Sequence, residues 1–305
     1  MPIHVPPTIL RAAARSLGRL IFLPQSPWRI QRRALDQAFS WPGAPREIAF
    51  TRTVLGGAPT EVLTPETPGD RVLLYLHGGG YTVGSPRSHR ALAAGLAVRL
   101  RAVTYVPHYR LAPEHRFPAA FEDSLAAYTA LLQADRAGHQ IFVAGDSAGG
   151  GLALALDVAA KRRDLPLPAG IGLLCPAIDW TPRALAGVPA DGREPTLTSS
   201  LLQRFCDAYL DAEDRAYPAV SPLLADLTGL CPLVIDAAGY DTLLDQSRRL
   251  ADAARHVGVA VRYREHAGMP HGFHSGAGLL KQADRALDDV ATTLVEMSST
   301  AERSR

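Results

Sequence analysis

Between residues 72 and 266 short apolar runs recur at intervals, and helix-forming stretches fill most of the gaps. The runs are VLLYL (72–76), AVTYV (102–106), IFVAG (141–145), GIGLLC (170–175), LVIDAAG (233–239) and AVRYREH (260–266). The stretches 88–100, 118–134, 148–162 and 245–257 between them read as helices, and 279–297 as a last one. Strands apolar on both faces need cover on both sides, so the pattern predicts an α/β protein with a largely parallel sheet between helical layers. Upstream, EIAFTRTV and PTEVLTPE flank Gly56-Gly57 and read as a hairpin-like pair.

Two regions stand outside this alternation. TILRAAARSLGRLIFL (8–23) sets Ile9, Ala13, Leu17 and Leu20/Ile21 on one helical face and Arg11, Arg15 and Arg19 on another. The expectation is a helix packed on its own domain with solvated arginines; its rival is attachment to a membrane surface. A second helix over 27–40 is closed by Trp41-Pro42-Gly43, and the excursion 181–218 contains the helical TSSLLQRFCDAYL. The expected division is a pair of N-terminal cap helices (1–45) and one α/β domain (46–305), with 181–218 contributing to the cap.

Composition narrows the partners. The 305 residues are 47% hydrophobic with a net charge of +2, which argues against nucleic acid. Three scattered cysteines, Cys175, Cys206 and Cys231, make neither a disulfide framework nor a zinc cluster and fit a reducing compartment. No run approaches a membrane span and the N-terminus lacks a secretory pattern, so a cytoplasmic protein without stable membrane insertion is expected.

The chemistry gathers at glycines. GDSAG (145–149) joins an apolar run to a helix, but it lacks the Lys-Ser/Thr of a P-loop and the G-x-G-x-x-G of a dinucleotide site. It does match G-x-S-x-G, where the tight turn exposes a serine, here Ser147, and needs glycine on either side. His77-Gly78-Gly79-Gly80 follows a strand and has the form of an oxyanion loop. For the base, His271 sits in a Pro/Gly turn after the last strand, with His266 and His274 nearby. For the orienting acid, Asp241 follows the preceding strand; Asp245 competes, and Asp236 lies inside the strand. The chain order Ser147, Asp241, His271 is that of the α/β-hydrolase triad.

HGGG, YRLAPEHRFPAAFED (109–123), GDSAGG, DTLLDQS and GMPHGF occur in one order over about residues 70–275. Together they resemble the hormone-sensitive-lipase-like family of α/β-hydrolases, the bacterial family IV carboxylesterases. The resemblance implies an α/β-hydrolase fold with a helical cap over the acyl pocket. It implies Ser147 as nucleophile, His271 as general base and acid, and Asp241 as orienting acid. Gly79, Gly80 and Ala148 would supply the oxyanion N–H groups, with Glu114 and His115 as scaffold. No metal or organic cofactor is implied. The substrate would be a small-molecule ester with a short-to-medium acyl chain; lactones, acetylated molecules, amides or formamides would suit the same groups. A homodimer is compatible with the family habit of edge-strand pairing. A small-molecule receptor on the same fold is the non-enzyme alternative. Phe22, Trp28, Phe39 and Trp41 are candidate walls of the pocket. The chain departs from the family at His108, where Asp is frequent, and at Thr242, where the family has Pro.

Overall fold

The computed structural model describes residues 2–40, 45, 47–134, 140–187, 194 and 196–303. Among them eight strands form one sheet in the order β1-β2-β4-β3-β5-β6-β7-β8. They are β1 (Ile48–Leu55), β2 (Ala58–Pro65), β3 (Val72–Leu76), β4 (Val103–Pro107), β5 (Ile141–Asp146), β6 (Gly170–Leu174), β7 (Leu233–Ala238) and β8 (Val261–His266). β3 to β8 run parallel, while β2 pairs antiparallel with both β1 and β4.

Every residue of β3, β5, β6 and β7 is buried, as a strand covered on both faces requires. Alternation then sorts their side chains: Leu74, Val143, Leu173 and Ile235 enter one core, and Leu73, Phe142, Leu174 and Val234 the other. The helices covering the sheet are α3 (Arg90–Leu100), α4 (Ala119–Gln133), α5 (Ala148–Arg162), α8 (Leu244–His256) and α9 (Lys281–Arg303). β8 differs from the expectation of a fully apolar strand. It is the sheet's edge, with Val261 and Tyr263 half-buried and Arg262, Arg264 and Glu265 exposed. Its charged residues need water on one side.

Outside the sandwich lie α1 (Pro7–Ile21), α2 (Trp28–Phe39), α6 (Pro182–Ala186) and α7 (Ser199–Tyr209). The first helix turns differently from the reading above. It packs through Leu10, Ala14, Gly18 and Ile21, while Ile9, Leu17 and Leu20 are exposed. Arg11, expected in solvent, donates to the Gly268 carbonyl at 2.8 Å and lies over the Tyr240 ring. Gly18 permits this orientation, because a Cβ there would strike the Thr196 side chain. No helix among the described residues is long and apolar enough to cross a membrane.

Candidate active site

Ser147 stands between the last residue of β5 and the first of α5, with φ 52° and ψ −121°. A non-glycine residue held there costs about 1–3 kcal/mol and persists only where its surroundings enforce it. They do so here. Ser147 N–H donates to the Leu174 carbonyl, and its own carbonyl accepts from Gly151 and Ala177. A Cβ at Gly145 would run into the Gly149 backbone, and one at Gly149 into the Leu76 and His77 carbonyls. Both flanking glycines are therefore steric requirements of the turn.

The loops after β7 and β8 bring the other two residues to this point. His271 Nε2 lies 3.0 Å from Ser147 Oγ, and His271 Nδ1 lies 2.8 Å from Asp241 Oδ2. Asp241 Oδ1 also accepts from the Leu243 N–H, which fixes the carboxylate from behind. Burial disfavours a charged His271, but the Asp241 carboxylate, with Glu194 and Asp146 further off, outweighs it and pushes the imidazole up to about 9. Asp245, the competing acid, is exposed and faces Arg249. His266 and His274 do not join Ser147; both point at Asp236. Burial works against the charged Asp236, yet hydrogen bonds from these two histidines hold its carboxyl below the usual range.

One contact had no signal in the sequence. Glu194, from the excursion between β6 and β7, accepts the His271 backbone N–H at 2.9 Å through Oε2. Its Oε1 accepts from Thr196 and Leu197. An acid amid Pro and Gly residues carries no spacing that could have revealed this.

The glycine loop after β3 is tied to the serine turn through Asp146. That carboxylate accepts from the Gly78 N–H at 3.0 Å and the Tyr75 hydroxyl at 2.6 Å, and it faces His89 at 3.4 Å. Burial opposes ionisation of Asp146, but His89 and Tyr75 prevail and hold it far below an ordinary carboxyl. Tyr109 OH donates to the His77 carbonyl at 2.6 Å. Gly79 and Gly80 have φ of 118° and 58°, conformations that favour glycine. The N–H groups of Gly79, Gly80 and Ala148 have no acceptor among the described residues. Ala148 opens α5, where an N–H lacks an intrahelical partner.

The space a Cβ would take at Gly80 is filled by the Phe205 ring from α7. Phe22 meets that ring edge-on at 6.0 Å and Trp28 stacks on it at 5.8 Å, with the Arg204 guanidinium 3.8 Å from the Trp28 ring centre. Phe22 and Trp28 thus reach the glycine loop through Phe205, which no motif marks in the sequence. Phe39 packs instead beside Ile21, Leu35 and Val83, and Trp41 lies outside the described residues. Glu114 binds Arg32 of α2, which also donates to the Thr82 and Ala112 carbonyls, while His115 is exposed.

Cys175 Sγ lies within 4.8 Å of the ligand atoms of Asp241 and His271, a trio capable of holding a metal. Both His271 nitrogens are already engaged, however, and burial pushes the Cys175 thiol up, away from the thiolate a metal needs. A cavity of about 690 Å³ is lined by Asp241, Arg183, Glu194, Tyr240 and Arg249 among others. Ser147 is not in its wall, so it is a polar basin beside the site.

Residues 73–275 match the α/β-hydrolase fold family. The chain belongs to that family, in its branch of bacterial hormone-sensitive-lipase-type esterases. It is similar to an acetyl-hydrolase of Streptomyces hygroscopicus, 37% identical over 86% of this chain and 87% of the relative. An esterase of Acinetobacter venetianus is 30% identical over 93% of both chains. Among solved structures, an esterase of the bacterial hormone-sensitive lipase family superposes with a TM-score of 0.89 at 31% identity, covering 97% of this chain and 100% of that one.

Proposed function

We propose that the protein is a serine carboxylesterase that hydrolyses short-to-medium acyl esters of small molecules by two-step acyl transfer. The observation that carries this is the unbroken line from Ser147 Oγ to His271 Nε2 at 3.0 Å and from His271 Nδ1 to Asp241 at 2.8 Å. His271 takes the hydroxyl proton as Ser147 attacks the ester carbonyl. The oxygen that gains charge is met by the N–H groups of Gly79, Gly80 and Ala148, each worth about 10²–10³ in rate. Protonated His271, stabilised by Asp241, then gives its proton to the leaving alcohol. Water enters, His271 removes a proton from it as its oxygen attacks the acyl carbon, and His271 returns that proton to Ser147 Oγ as the acyl–Oγ bond breaks and the acid leaves.

The acyl range follows from the roof. α1 and α2 with α6 and α7 form a cap in this reading, and Phe205 presses on the oxyanion loop with Phe22 and Trp28 behind it. The name of the acetyl-hydrolase relative supports the short end of the range. Cys175, Cys206 and Cys231 are free and buried, which supports a reducing, cytoplasmic setting.

The test is a panel of p-nitrophenyl esters of increasing acyl length, with a lactone and an anilide added, run on wild type and Ser147→Ala. The expected outcome is turnover of short esters that falls by about 10⁴-fold or more in a folded variant. Undiminished hydrolysis by the variant would overturn the assignment, and absence of turnover in the wild type would favour a receptor.

A further inference from the structure

The stretch that carries His271 is held at both of its ends by one carboxylate outside the triad. Asp236, inside β7 and 1% exposed, accepts from His266 Nε2 at 2.9 Å and from His274 Nε2 at 2.7 Å. His266 is the last residue of β8, and His274 lies in the short 3₁₀ turn Phe273–Gly276. His271 lies between them. The Phe273 ring packs on both imidazoles, with centroids 5.0 Å from His266 and 4.0 Å from His274. His274 is fully buried and its Nδ1 has no partner, so Asp236 is the one side chain to which it hydrogen-bonds among the described residues.

The stretch needs such anchoring. Gly268 and Gly272 both have positive φ, at 76° and 65°, so the chain around His271 has little intrinsic stiffness. The ring must nonetheless reach Ser147 on one side and Asp241 on the other at once. Apolar packing could close the loop with less desolvation than a buried carboxylate and two imidazoles require. What the polar cluster adds over apolar packing is direction, since a carboxylate fixes where each donor nitrogen stands.

We infer that Asp236 is a positioning residue for the proposed ester hydrolysis, fixing both ends of the 266–274 stretch so that His271 meets Ser147 and Asp241 together. This rests on the reading of His271 as general base. A displacement of the order of 1 Å at a reacting group costs about 10²-fold in rate, which sets the scale of the effect.

Two variants test it. Asp236→Asn preserves shape but cannot accept from both imidazoles through charged oxygens. The triple variant Asp236→Leu, His266→Phe, His274→Phe replaces the whole cluster by apolar groups and should melt no lower than wild type. For both, kcat on p-nitrophenyl acetate should fall about 10–100-fold with KM within about twofold, and fluorophosphonate labelling of Ser147 should slow by the same factor. A purely structural cluster would move the melting temperature and leave kcat alone. Values of kcat within twofold of wild type in a folded variant, while wild-type Ser147 still labels, would overturn the positioning role by itself. Wild-type hydrolysis that does not depend on Ser147 would instead overturn the functional reading, and this inference with it.

Discussion

His271 answers two opposed demands in the proposed reaction: it must be neutral to take the Ser147 proton and charged to be stabilised afterwards. Asp241 at 2.8 Å favours the charged form strongly enough to overcome burial and push the imidazole up to about 9. The base is therefore increasingly available as pH rises. Between about pH 7 and 10, kcat/KM should climb with an apparent pKa above the 6.5 of a free imidazole. The stability linkage has the opposite slope. A raised pKa means the His271–Asp241 pair contributes fully below 6.5 and loses that contribution as pH passes about 9. A pH–rate profile set beside melting curves checks both signs; a rate plateau already reached near pH 6 would contradict the raised pKa. The motif residues at this scale were readable because tight turns and strand ends impose spacing. The bracing roles of Glu194 and Asp236 were not, since Glu194 lies within an irregular excursion and Asp236 stands out only as an acid inside a strand.

Among the elements, α7 is the one through which the proposed ester hydrolysis would select its substrate. Its Phe205 ring occupies the space above Gly80 and supports Phe22 and Trp28. Phe205→Ala should open that space and shift the kcat/KM optimum toward longer acyl chains, with little loss at Ser147 itself. The ester panel on this variant measures it, and an unchanged chain-length profile would separate Phe205 from acyl selection. The strands could be read in advance because β3, β5, β6 and β7 are apolar on both faces, and burial alone makes such runs conspicuous. The orientation of α1 could not. Its hydrophobic periodicity marks the Ile9-Leu17-Leu20 stripe, whereas contact is decided by the small Gly18 and by Arg11 reaching Gly268. Periodicity registers apolar residues and is blind to a glycine contact or a capped carbonyl.

For the whole molecule, the parallel sheet explains why distant residues converge. The loops after β3, β5, β7 and β8 all leave the carboxyl ends of their strands, the edge where open α/β sheets bind ligands. They carry, in turn, the glycine loop, Ser147, Asp241 and His271. Chain order therefore becomes spatial adjacency, and the proposed triad follows motif order along the chain. The carboxylates that brace the assembly, Asp146 under the glycine loop and Asp236 and Glu194 around His271, emerge only in three dimensions. The most direct test of the central claim is covalent: treat the enzyme with a fluorophosphonate and locate the adduct by peptide mass spectrometry. One phosphonyl group on Ser147, with parallel loss of esterase activity and no adduct in Ser147→Ala, is predicted. Labelling at another residue, or full activity retained with Ser147 modified, would contradict it.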